Sequence, residues 1–144
     1  MADAVQEAVA AGKPFFGVCL GLQLLLDWSE EGATPCLGVV PGRVVRFGDA
    51  LKVPHMGWNS VNTTDGHPVF RNVPPNSYFY FVHSYYAAPQ DGSWVAGATD
   101  YGLPFASVLA KDNLIATQFH PEKSGAVGLK LYDNFMRYIV AERG

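Results

Sequence analysis

Charge and sulfur are scarce in this chain of 144 residues. Asp, Glu, Lys and Arg together make up 16%, the net charge is −3, and the basic residues never cluster. A surface without a positive stripe suits neither a nucleic-acid backbone nor an acidic membrane. The two cysteines, Cys19 and Cys36, form no disulfide framework, which fits a reducing, cytoplasmic setting. No apolar run approaches the roughly 20 residues that a membrane-spanning helix needs. Met1–Glu7 is acidic and has no basic region leading into an apolar core, so no secretion signal is legible. Glycine-rich phosphate loops, repeats and low-complexity tracts are missing. His55, His67 and His83 share no metal-ligand spacing with one another or with the cysteines, so no metal site is expected, and no motif implies a cofactor. What the chain does have is apolar surface: 49% hydrophobic and 13% aromatic residues, enough for a core of ordinary size.

Two short stretches carry chemistry. Gly17-Val18-Cys19-Leu20-Gly21 follows the apolar run from Phe15 and precedes a leucine-rich, helix-like segment. This is the pattern of a nucleophile elbow, with cysteine at the sharp strand-to-helix turn and glycines two places to either side. The helix N-terminus that follows is expected to favour thiolate over thiol. His120-Pro121-Glu122 supplies a base and its orienting carboxylate. The residue before proline is biased toward extended conformation, so His120 should continue the strand over 114–119, with Glu122 projecting to the same face. A cysteine at the elbow can also be a buried small hydrophobe, and a histidine a satisfied core residue.

The rest of the chain reads as alternating α and β. The composition predicts an alanine-rich helix over 2–11, a strand at 15–18 and a helix from about Leu20 to Ser29. Short strands are predicted at Val39-Val40, 44–47 and 58–61, then 77–82, 94–98 and 105–110. Asp112-Asn113 marks a tight turn into the strand at 114–119. Ser124 is placed to cap a final helix, whose Leu129, Tyr132, Phe135, Met136 and Ile139 fall at the spacing of one buried face.

Gly-Val-Cys-Leu-Gly-Leu-Gln with a late His-Pro-Glu resembles the class I (triad) glutamine amidotransferases. Three further segments narrow the likeness: Pro54-His55-Met56-Gly57-Trp58-Asn59, Phe81-Val82-His83-Ser84-Tyr85-Tyr86 and His120-Pro121-Glu122-Lys123-Ser124-Gly125. Together they resemble the glutaminase subunit of imidazole glycerol phosphate synthase, from about Gly12 to the C-terminus. The resemblance implies one α/β domain over 1–144, three-layered, with a mixed, mostly parallel sheet. It also implies glutamine hydrolysis through a Cys19 thioester, with His120 and Glu122 completing the triad. The Leu20 amide would serve as an oxyanion donor, and the ammonia would pass to a (β/α)8-barrel cyclase. Members of the family begin with strand–helix units ahead of the first helix here, so the chain is expected to be N-terminally incomplete. It would then lack a sheet strand and the glycine loop that gives a second oxyanion amide.

By the same resemblance Gln23, four residues after Cys19 and on its helix face, helps to hold glutamine; the plain alternative is a surface glutamine. Glu31 matches the acidic residue for the substrate α-amino group, provided the chain turns back after Ser29, where Gly32 permits it. His83-Ser84-Tyr85 matches the loop whose amides take the α-carboxylate, though it also reads as a simple strand end. Pro54, His55, Met56 and Trp58 match the segment facing the partner, with a buried Trp in a turn as the alternative. Lys123 can pair with a partner carboxylate or be merely solvated. Cys36 reads as packing. An anthranilate- or aminodeoxychorismate-type amidotransferase subunit and an inactive binding module remain as other readings.

Overall fold

The computed structural model describes residues 2–63 and 67–141. Helix α1 (Ala2–Ala10) stops at Gly12, whose φ of 80° suits a residue without a side chain. Strand β1 (Phe15–Val18) follows, then α2 (Leu20–Gln23). Next come β2 (Trp28–Ser29), β3 (Thr34–Pro35), β4 (Gly42–Arg46), β5 (His55–Ser60) and β6 (Asn62–Thr63). The second half holds β7 (Tyr78–His83), β8 (Tyr85–Pro89), β9 (Val95–Asp100), β10 (Pro104–Lys111), β11 (Leu114–Thr117) and α3 (Gly125–Asn134). The last turn, Phe135–Val140, widens to π geometry.

A nine-stranded sheet runs β1-β11-β10-β8-β4-β2-β3, with β9 on β10 and β6 on β9; β5 and β7 form a separate hairpin-like pair. Side-chain alternation sends residues of one strand to opposite faces. Phe105, Ala110 and Ile115 pack toward Leu131 and Phe79, whereas Ala106, Leu109, Leu114 and Ala116 pack toward Leu22 and Leu25. Two cores on two faces give the three layers expected. The sheet is mixed, but the expectation of mostly parallel pairing is corrected. Parallel ladders join β1 to β11 and β2 to β4, and the other pairs described are antiparallel. Short links such as Asp112-Asn113 between β10 and β11 permit only antiparallel neighbours.

Four local expectations also fail. The helix after the elbow ends at Gln23, not Ser29, because tertiary partners take its next carbonyls. Leu37, Val40 and Gly38 donate to the carbonyls of Leu24, Leu25 and Leu26 at 2.8, 2.8 and 2.9 Å. Val39-Val40 is loop for the same reason. Leu129 of α3 and Met136 of the π turn are 64% and 57% exposed, and Ile139 alone of the expected face is buried, while Gly128, Leu131 and Asn134 are buried instead. The helix turns its small residue inward to lie against the turn at Pro121. Ser124 sits at the N-cap without capping. Its hydroxyl instead donates to the His120 carbonyl at 2.6 Å and accepts from Tyr80 N–H at 2.9 Å, tying the His120 turn to β7. No helix among the described residues is long and apolar enough to cross a membrane.

Candidate active site

The parallel ladder between β1 and β11 brings the two motifs together. Val18 lies opposite Thr117, and Cys19 N–H donates to the Thr117 carbonyl at 2.7 Å. Cys19 therefore leaves the sheet beside the segment that leads to His120. Its φ of 54° and ψ of −103° are strained for a residue with a side chain; such strain at a strand-to-helix turn lifts the thiol out of the fold. Gly17 and Gly21 face each other across the elbow: a Cβ on Gly17 would stand 3.0 Å from the Gly21 backbone.

His120 Nδ1 and Glu122 Oε2 are 2.9 Å apart, with the imidazole 19% and the carboxylate 47% exposed. The pair was expected from an extended strand, and the reason is corrected. Strand β11 stops at Thr117, and Pro121–Lys123 form a 3-10 turn that folds Glu122 back onto the imidazole. His120 N–H is bonded to the Tyr80 carbonyl at 3.0 Å, which fixes the turn on β7. Tyr132 of α3 also meets Glu122, and burial together with that carboxylate raises its hydroxyl pKa. Sequence reasoning placed Tyr132 only in a core stripe; its contact with Glu122 depends on how α3 docks.

At rest the thiol faces partners other than the base. Its sulfur lies 3.9 Å from the Val82 carbonyl and 3.5 Å from Gln118 Nε2, and among the described residues it makes no hydrogen bond with His120. Burial pushes the Cys19 thiol above its ordinary value; the Leu20 amide and Gln118 pull it down, while Glu122 and Glu31 add to the rise. The expectation of a favoured thiolate is thus corrected for the resting state. A four-residue helix carries little dipole, and among the described residues no cation meets the sulfur.

An open cleft of about 430 Å³ is lined by Cys19, Leu20, Gln23 and Glu31 on one side and His83, Ser84 and Tyr85 on the other. All of the substrate-binding candidates named from sequence therefore surround one space. Glu31 reaches it through a turn in which Gly32 has φ of 67°, although the chain already turns back at Leu24. Gln23 is buried rather than a surface residue, and its Nε2 donates to the Tyr85 carbonyl at 3.0 Å and to Gln118 Oε1 at 2.9 Å. An adjoining hollow of about 380 Å³ shares Leu20, Gln23 and Glu31 and is edged by Cys36. Cys36 is partly exposed there, so it is not core packing. Among the described residues no group of His, Cys, Asp and Glu is placed to hold a metal ion.

The candidate partner segment splits by strand alternation. In the β5–β7 pair, Met56, Trp58 and Ser60 stand opposite Val82, Tyr80 and Tyr78. Met56, Trp58 and Tyr78 are 62%, 55% and 59% exposed, forming an apolar outer face. Pro54 is partly exposed and Lys123 exposed. His55 is the correction: at 4% exposure it points inward and cannot serve as a surface contact. It stacks between Tyr101 and Phe81 with ring centroids at 4.0 and 4.9 Å, and its Nδ1 meets His83 Nε2 at 3.0 Å.

The tautomers of this histidine pair follow from its neighbours. His83 Nδ1 faces the Tyr85 carbonyl at 2.8 Å, so it carries hydrogen and Nε2 accepts. His55 Nδ1 must then donate, leaving its Nε2 to accept from Asn59 Nδ2 at 3.3 Å. Burial lowers both pKa values to about 4. An unfolded chain binds these protons near pH 6.5, so stability should be full above that pH and fall as pH drops toward 4. Each shift corresponds to a loss on the order of 3 kcal/mol by pH 4. Urea midpoints measured from pH 7 to 4.5 check it: the decline should begin before carboxylates titrate, and a flat profile down to pH 5 would refute it.

With the geometry in place, comparison with known proteins adds relatives. The family model "Glutamine amidotransferase class-I" matches residues 1–138. A Methylococcus capsulatus protein named imidazole glycerol phosphate synthase subunit HisH is 52% identical, covering 94% of this chain and 67% of that protein. The protein of that name from Dehalococcoides mccartyi is 46% identical over 98% of this chain and 69% of its own length. The chain thus spans about two thirds of the curated relatives it matches. Among solved structures, PurLQS from Thermotoga maritima aligns with a TM-score of 0.72 at 16% identity, over 95% of this chain and 67% of that one. A glutamine amidotransferase from the same organism gives 0.64 at 19%, over 99% and 54%. At such identities the likeness concerns the fold alone.

Proposed function

We propose, from the premise that this chain belongs to the class I glutamine amidotransferase family, that it is the glutaminase subunit of imidazole glycerol phosphate synthase. The observation that carries the reading is the cleft in which Cys19 meets Gln23, Glu31 and the 83–85 strap, beside the His120–Glu122 pair. The relatives near 50% identity support the choice of synthase.

Glutamine enters with its α-ammonium toward Glu31 and its α-carboxylate toward the backbone of Ser84 and Tyr85, which leaves the carboxamide over Cys19. The Cys19 thiol gives its proton to His120, and the sulfur attacks the carboxamide carbon. The Leu20 N–H donates to the developing oxyanion. His120, held by Glu122, returns the proton to the leaving nitrogen, so ammonia departs and a thioester remains. Water, deprotonated by the same imidazole, attacks the thioester, which releases glutamate and restores the thiol. Catalytic hydrogen bonds often tighten only when substrate is bound; a thiol bonded to Val82 and Gln118 at rest calls for such a step. Treatment with a glutamine-derived diazoketone tests the reading: Cys19 should be modified and Cys36 spared, with glutamine protecting. Preferential modification of Cys36, or no protection, would overturn it.

The ammonia is consumed by a (β/α)8-barrel cyclase docked on the face of Met56 and Trp58, with Pro54 and Lys123 at its rim. Exposed Trp in an apolar patch is the residue type that dominates binding energy. Trp58→Ala should weaken cyclase binding by about 30-fold or more, as half-exposed aromatic anchors at interface centres do. Calorimetric titration checks this; unchanged affinity would place the partner elsewhere.

A further inference from the structure

We propose that Gln118 is a positioning residue for the nucleophile, its buried carboxamide holding Cys19 Sγ and the Gln23 side chain in one fixed arrangement. The inference rests on reading Cys19 as the nucleophile. Gln118 is fully buried and stands one place beyond Thr117, where the parallel ladder sets it beside Cys19. Its backbone N–H is bonded to the Ser107 carbonyl at 2.8 Å, so the residue is pinned to β10 while its side chain turns toward the elbow.

The orientation of the amide is forced. Gln23 Nε2 faces the Tyr85 carbonyl at 3.0 Å, which only accepts, so that nitrogen is a donor. The Gln118 atom 2.9 Å from it must therefore be oxygen, which leaves Gln118 Nε2 to face the sulfur at 3.5 Å. A donor at that distance is a weak partner for a thiol and a stronger, charge-assisted one for a thiolate. The carboxamide thus favours the ionised sulfur at the moment His120 removes the proton. It also opposes the burial and the neighbouring carboxylates that raise the resting thiol. Through Oε1 it keeps Gln23 against Tyr85, so the same amide sets the wall of the substrate cleft.

Two measurements test this. Gln118→Met keeps volume and removes both hydrogen bonds. Iodoacetamide modification of Cys19 should slow about tenfold at neutral pH, with the midpoint of its pH profile rising by about one unit. Gln118→Glu, which sets an acceptor against the sulfur, should shift it at least as far. In the unaltered protein, the Gln118 side-chain amide resonances should move with the same midpoint as Cys19 modification, a readout that does not depend on any variant folding. An unshifted profile in a folded Gln118→Met, or amide resonances indifferent to Cys19 ionisation, would overturn the proposal. If the profile shifts as expected while the unaltered protein resists the glutamine-derived diazoketone, the glutaminase reading fails and the Gln118–Cys19 contact stands.

Discussion

Replacing Cys19 with alanine is expected to cut glutamine-dependent glutamate release by about 10⁴-fold or more, measured on the full assembly with its cyclase. Without sulfur there is no thioester, and the remaining amides and carboxylates can only bind glutamine. Serine should fail as well, because its hydroxyl is far less acidic than a thiol and His120 is not bonded to this position at rest. Stability should fall by only about 1–2 kcal/mol, from leaving the buried Gln118 Nε2 without its sulfur acceptor. Alanine occupies the same positive-φ conformation, so neither strain nor packing is much altered. Ammonia supplied directly should still support the cyclase in the Cys19→Ala assembly. Glutamate release within tenfold of the parent would mean that another group is the nucleophile.

The second large effect is expected far from the thiol. Gly128→Ala should destabilise the protein by about 2–4 kcal/mol. A Cβ there would lie 1.9 Å from the Pro121 carbonyl oxygen and 2.7 Å from its carbon, both backbone atoms that cannot swing aside. Relief requires α3 to lift from the turn that carries Glu122, and Tyr132 would leave with it. Glutamate release should fall about 100-fold, because Glu122 loses the Tyr132 contact that helps to hold it against His120. A melting temperature lower by roughly 5–15 °C checks the packing, and a urea-based stability measurement separates it from the catalytic loss. Gly12→Ala serves as the contrast. A Cβ at Gly12 meets nothing within 4 Å, and only its φ of 80° opposes the change, so the loss should be smaller and activity preserved.

Local covalent chemistry and short-range pattern were enough for much of this molecule. The elbow at Cys19 was legible because glycines, an apolar strand and a following helix turn are all encoded within a few residues. The His120–Glu122 pair was legible because the two are neighbours in the chain, whichever backbone conformation joins them. Strands such as 78–83 and 104–111 announce themselves through aromatic and β-branched residues, and Asp112 can adopt the positive φ of its turn.

Tertiary structure decided what depends on partners distant in sequence. Leu24–Leu26 read as helix until the amides of residues 37–40 claim their carbonyls. Leu129 and Met136 read as part of a buried face that does hold at Ile139, yet both are exposed, because Gly128, which has no hydrophobic signal, lies against Pro121. His55 lies in a segment resembling a partner surface, yet the register of β5 against β7 turns it inward while Met56 and Trp58 face out. Gln118 looks like an unremarkable polar residue before His120 until parallel pairing across about a hundred residues sets it against the sulfur. A motif records which groups are close along the chain. Only the packed sheet determines which hydrogen-bond donor faces Cys19, because a buried amide takes whichever partners the register leaves within reach.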